Sequence, residues 1–322
     1  MSESQQEELL ESVAFDLIRV ESFLEKELTT GSEDFNRLIA PLSSAGGKRL
    51  RAQLCLLIAC AGQSDETERI QIAAAVEMLH LATLIHDDVL DQADIRRGET
   101  TIHCKKGNKV AILSGDYLFA KAFEIVSRMS NMEYLKIFAR IITCLVEGEF
   151  MQMEDVYRLD QGIDRYMAKT QKKTADFIEG CMELGAILGK WSAKDTAVLK
   201  KYGHALGMAF QITDDIMDYR ETEATTGKPV GKDLREGLLT YPLLSIVNED
   251  TYDFLHKTIC NIHDGNERDL IQYVINHGGI DNTLVVEKQY TNMAVHALKE
   301  LPDFSGKTFL YQAVDALATR KV

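Results

Sequence analysis

Apolar residues recur three and four positions apart through most of the chain, which is the period of a helix with one buried face. Over residues 6–27 the inward stripe is Leu10, Val13, Leu17, Val20 and Leu24. Two more helices are expected at 50–61 and 70–91, the second apolar on nearly all sides and so suited to the centre of a bundle. The pattern continues at 110–130, 133–156, 163–188, 193–219 and 238–247, and weakens from about residue 250, where the sequence is more polar. Strand-like alternation is hard to find, and no proline falls between Leu42 and Lys228. An all-α fold is expected. With no Gly/Ser- or Pro-rich linker, residues 1–322 read as one helical domain.

Composition narrows the function classes. The chain has 322 residues, 45% of them hydrophobic, enough for a sizeable core. A net charge of −14 argues against a nucleic-acid partner, which needs a broad basic surface. Cys55, Cys60, Cys104, Cys144, Cys181 and Cys260 show no framework spacing, so reduced thiols and a cytoplasmic setting are expected. The opening MSESQQEELLESV is polar and acidic, unlike a leader peptide. The most apolar stretch, 70–85, contains Glu77 and His80 and is too short to span a bilayer, so no transmembrane segment is expected.

The chemistry concentrates in two acidic motifs. TLIHDDVLDQADIRRG places Asp87, Asp88 and Asp91 at the end of the apolar helix, and FQITDDIMDYR repeats the D-D-x-x-D spacing with Asp214, Asp215 and Asp218. On a helix, positions four apart share a face, so each motif projects carboxylates together. Acids beside apolar neighbours such as Leu84 and Ile85 repel one another and need a cation. Carboxylates completed by water and substrate phosphate are the ligands Mg²⁺ prefers. One such motif alone reads equally well as a solvated helix face. Two with identical spacing, each following an apolar stretch, favour metal, and facing rows in a bundle core would hold it between them.

Basic islands stand out in so acidic a chain: GGKRLR (46–51), Arg96-Arg97-Gly98, KTQKKTA (169–175) and TGKPVGKD (226–233). Each alone is an ordinary solvated turn or helix end, and the first is not a Walker A loop. Beside two metal motifs they read as a diphosphate site, with arginine as a bidentate fork and lysine as a point charge. His80, seven residues before Asp87, joins them as a donor, although by itself it reads as a core histidine.

Taken in order, GGKRLR, HLATLIHDDVLDQADIRRG, SGDYLFAKA, VEGEFMQ, KTQKKTADF, FQITDDIMDY and GKPVGKDLREG resemble the trans-isoprenyl diphosphate synthases, the polyprenyl synthetase family, over residues 44–244. The resemblance implies a helical fold around a deep cavity and a Mg²⁺-dependent condensation of isopentenyl diphosphate with an allylic diphosphate of farnesyl or geranylgeranyl type. By the same resemblance, Asp87, Asp88, Asp91, Asp214, Asp215 and Asp218 bind about two or three Mg²⁺ ions. Arg96, Lys173 and Lys228 touch the allylic diphosphate. Gly47, Lys48, Arg51, His80 and Arg97 form the isopentenyl diphosphate pocket, and Lys173, Thr174 and Gln211 attend the reacting carbons. Two positions depart from the family pattern: Ala52 follows Arg51 where proline is common, and Leu238 stands where short-chain members often carry lysine.

In short-chain relatives a bulky aromatic precedes the first aspartate by four or five residues; here those positions are Thr83 and Ala82, with Leu79 one turn further back. Small side chains there imply an open path for a growing apolar chain and an all-trans product of about C30 or longer. Such products become quinone side chains, as in menaquinone biosynthesis. A homodimer is implied, or a heterodimer with a small non-catalytic subunit. Three rivals remain in view: a catalytically silent partner subunit, an HD-type phosphohydrolase using His80, His86 and Asp87, and a class I terpene cyclase. A shorter-chain, geranylgeranyl-type synthase is the alternative on length.

Overall fold

The long apolar helix begins at Glu66, one turn before the expected residue 70, because a cap precedes its apolar run. Asp65 accepts a hydrogen bond from the backbone of Glu68, and acidic Glu66 and Glu68 fill the first turn, the side of the helix dipole that favours negative charge. In a computed structural model describing residues 3–44, 49–96, 98–220, 231–262 and 267–319, this helix runs Glu66–Leu90. The expected ligands Gly47, Lys48, Arg97 and Lys228 lie outside the described residues.

The described chain is helical throughout, apart from one small hairpin. In order come α1 (Glu3–Leu28), α2 (Glu33–Ser44), α3 (Leu50–Cys60), α4 (Glu66–Leu90), β1 (Ile95–Arg96), β2 (Glu99–Thr100), α5 (Ile102–Lys106), α6 (Asn108–Ser127) and α7 (Met132–Glu154). Then follow α8 (Gly162–Thr170), α9 (Asp176–Leu188), α10 (Ala193–Arg220), α11 (Lys232–Arg235), α12 (Tyr241–Leu244), α13 (Tyr252–Cys260), α14 (Glu267–Asn276), α15 (Gly279–Glu300) and α16 (Lys307–Thr319). All six cysteines are free thiols. No helix among the described residues is long and apolar enough to cross a membrane.

Two compact units account for these elements. The first comprises Met1–Ala139, Gly180–Ala197 and Asp303–Lys307. Within it α4 packs against α1, α3 and α6, and its buried residues, from Ile70 through Ala75, Leu79 and Ala82 to Ile85, cover all sides of the helix. Gly115 in α6 stands where a Cβ would lie 2.2 Å from the His86 ring, so the ring occupies the space that glycine leaves open.

The second unit comprises Arg140–Glu179, Val198–Pro302 and Thr308–Val322. Its core gathers Tyr166, Ile212, Ile216, Tyr219 and Leu234 with Leu243, Leu255, Leu270 and Ile280. Here the expectation of one helix over 163–188 is corrected: Gln171–Ala175 winds as a π-helical turn that separates α8 from α9. Two other helices come in close on that turn. A Cβ on Gly148 of α7 would meet the backbone nitrogen of Lys173 at 3.1 Å, and one on Gly207 of α10 would meet the Ala175 Cα at 2.6 Å. The helix expected at 238–247 shrinks to α12, because Gly237 turns the chain with φ 77° and Pro242 sits in the first turn. The C-terminal region, where the apolar pattern is weak, forms four clear helices, α13 to α16.

Candidate active site

In the first unit the aspartates cap α4. Asp87 and Asp91 are half-buried, whereas Asp88 between them is buried. Arg96, delivered by the β1–β2 hairpin, donates from Nε to Asp88 at 2.5 Å. Burial raises the Asp88 pKa, and the Arg96 guanidinium opposes it. The loop that brings Arg96 back is closed by backbone bonds from Ala93 to Asp88 at 3.0 Å and from Thr101 to Asp94 at 3.0 Å.

The structure also brings Arg51 and His80 together, with Nη1 and Nε2 3.4 Å apart. Arg49, two residues away, is held differently. Its Nη1 lies 3.2 Å from the buried carboxylate of Glu77, which also accepts the Ala52 backbone N–H. Arg49 is therefore a structural ion pair, and the neighbouring Arg51 is the arginine placed with His80. His86 packs edge-on against Phe119 and bonds the Ile112 carbonyl at 3.1 Å, so it serves helix packing rather than a His-Asp metal pair. Leu79 and Ala82 are wholly buried, and Thr83 turns its hydroxyl onto the His80 carbonyl at 2.7 Å.

The second unit repeats the arrangement. Asp214 and Asp218 are half-buried and one helical turn apart, while Asp215 is buried. A hydrogen-bond relay fixes Asp215: Thr174 donates to Gln211 at 2.9 Å, Gln211 donates to Asp215 at 3.0 Å, and the Tyr166 hydroxyl donates to the other carboxylate oxygen. The π turn matters here, since it sets Thr174 against Gln211. Lys173, from the same turn, pairs with Glu149 at 2.6 Å and reaches Gln152 at 3.3 Å. These two partners belong to the VEGEFMQ stretch, whose Gly148 permits the close approach.

Sequence reasoning missed Tyr166, and it took Lys169 and Asp233 only as ends of two basic islands. Lys169 is buried beside Asp155, 3.9 Å away, and contributes positive charge near Asp215. Burial lifts Asp215 to about 6 against the pull of Tyr166 and Gln211. Burial, then the charges of Asp218 and Asp215, lift Asp233 to about 8.

The carboxylates fit a hard divalent cation. Asp218 Oδ2 is buried and has no hydrogen-bond partner, an acceptor oxygen suited to a cation or a donor. Burial raises Asp218 as well, and three neighbouring acids share one pocket of charge. All the donors are oxygens, the set that suits Mg²⁺.

The sequence matches the pattern of the polyprenyl synthetases over residues 32–277. It is 35% identical over 293 residues to heptaprenyl diphosphate synthase component 2 of Geobacillus stearothermophilus, covering 89% of this chain and 90% of that protein. It is 34% identical over 287 residues to a short chain isoprenyl diphosphate synthase of Methanothermobacter thermautotrophicus, covering 87% and 88%. A crystal structure of a decaprenyl diphosphate synthase from Rhodobacter capsulatus superposes with a TM-score of 0.91 at 32% identity, covering 98% of this chain and 99% of that one.

Proposed function

The chain belongs to the polyprenyl synthetase family, a family of prenyltransferases, and we propose that residues 1–322 act as one synthetase domain extending an allylic diphosphate with isopentenyl diphosphate. The product is an all-trans polyprenyl diphosphate of about C30 or longer, the growing chain needing an apolar cavity. One observation carries the mechanism. In both D-D-x-x-D motifs the middle aspartate is buried and tied by the protein, leaving the outer pair partly exposed on one helix face. Asp87 with Asp91, and Asp214 with Asp218, would hold Mg²⁺ together with substrate diphosphate, and Asp88 and Asp215 orient them. When bound, the metal neutralises charge on the departing diphosphate.

The remaining steps belong to side chains. Arg96, Lys173 and Lys228 bind the allylic diphosphate and stabilise the negative charge that grows as its C1–O bond breaks. Lys173 exchanges its contacts with Glu149 and Gln152 for phosphate oxygens. Thr174 donates its hydroxyl hydrogen bond to the Gln211 side-chain oxygen, so its oxygen lone pairs remain to stabilise positive charge at C1. Gly47, Lys48, Arg51, His80 and Arg97 orient isopentenyl diphosphate, whose double bond attacks C1, and the departed diphosphate accepts the proton then lost.

Substitution tests this directly. Asp87→Ala and Asp214→Ala are expected to keep the helical signal and to lose on the order of a hundredfold or more in turnover. Near-normal turnover in either would remove that motif from the site. Quinone side chains are the destination that suits such a product, and the assembly is a homodimer in the cytoplasm or a pairing with a small non-catalytic subunit; the heptaprenyl relative's description as a component supports the second.

A further inference from the structure

Beside the first aspartate motif lies a second set of converging donors that the proposed reaction does not use. Asp94, His103 and Cys104 each offer a ligand atom, and all three atoms lie within 4.8 Å of one another. The Cys104 sulphur is 2.9 Å from Asp94 Oδ1 and 3.8 Å from His103 Nε2. A metal at about 2.0–2.3 Å from each would hold ligand atoms at separations of this size.

The convergence is built by the backbone. The Thr101-to-Asp94 bond closes the base of the hairpin, and the Gly107 N–H bonds the His103 carbonyl at 2.7 Å, which fixes the short helix carrying His103 and Cys104. The buried Thr101 hydroxyl stands by the Cys104 thiol as its hydrogen-bond neighbour. With the thiol bound to a metal, that hydroxyl would be placed to hold the water that completes a three-ligand site.

We propose that Asp94, His103 and Cys104 form a binding site for a thiophilic divalent cation of the Zn²⁺ class, distinct from the Mg²⁺-type carboxylates. A thiolate, an imidazole and a carboxylate are borderline-to-soft donors that select Zn²⁺ or Co²⁺ over Mg²⁺. Binding releases the thiol proton to solvent and replaces the Cys104-to-Asp94 hydrogen bond with two metal–ligand bonds. The two negative ligands then balance the 2+ charge. His103 exchanges its contact with the Ala93 carbonyl, now 2.8 Å, for the metal. The bound ion would pin the two ends of the loop that carries Arg96 and, through it, Asp88.

Cobalt reports such a site by its colour. The purified full chain, with saturating Mg²⁺ to occupy the acidic motifs, is titrated with Co²⁺ alone. Sulphur-to-cobalt charge transfer and intense tetrahedral visible bands are expected, saturating at one equivalent and bleached by Zn²⁺. Cys104→Ser should abolish the charge transfer, and Asp94→Asn should weaken Co²⁺ binding about tenfold or more while keeping it. Cys104 is exposed, so its substitution leaves the fold intact, and Asp94→Asn tests the site independently. No charge transfer in the wild-type chain, or full intensity persisting in Cys104→Ser, would overturn the proposal.

Discussion

At Asp215 burial and hydrogen bonding pull in opposite directions. Burial raises its pKa from 3.8 to about 6 although Tyr166 and Gln211 both donate to it. A rise of that size sets roughly 3 kcal/mol against the ionised form. The folded chain therefore binds this proton more tightly than the unfolded chain, so the associated stability is full below 3.8 and lost as pH rises through about 6. In chelator, melting curves of the wild-type chain should show this falling contribution across that window, and Asp215→Asn should lack it. Identical pH slopes in the two proteins would contradict the assignment. The letters D-D-x-x-D give three equal acids. What separates the middle one is a tyrosine 49 residues upstream in one motif and an arginine 8 residues downstream in the other, pairings that no local pattern reveals.

Elements were legible where burial is one-sided or complete. The stripe of Leu10, Val13, Leu17, Val20 and Leu24 marks α1, and the apolar run before Asp87 marks α4. The π turn was not, because one extra residue in a helical turn leaves composition and rough period unchanged. Its signs are Gly148 and Gly207, which read as ordinary helix glycines until the turn they touch is known. Gly207→Ala would set a methyl 2.6 Å from the Ala175 Cα, one helical turn from Gln211. A loss of roughly 1–3 kcal/mol in stability is expected. A parallel fall in kcat should follow as Gln211 moves from Thr174. Unchanged melting and kcat would show that α10 and the π turn need no such closeness.

Across the whole molecule the matches to known proteins fix the reaction family more firmly than the product. Identity is nearly the same to a heptaprenyl synthase component and to a short chain synthase, so length must follow from particular side chains. Ala82 is the residue best placed for that role by its distance from Asp87, and it is wholly buried. Ala82→Phe should shorten the product, with melting curves confirming that the enlarged side chain is accommodated; an unchanged product distribution would free this position from any part in length. Long-chain prenyl transfer itself is put to the test by giving the purified chain Mg²⁺, isopentenyl diphosphate and farnesyl or geranylgeranyl diphosphate, and resolving the products by length. A defined polyprenyl diphosphate of about C30 or longer is the predicted result. A product that stops at the geranylgeranyl length, or no prenyl transfer even with a small partner subunit added, would contradict it.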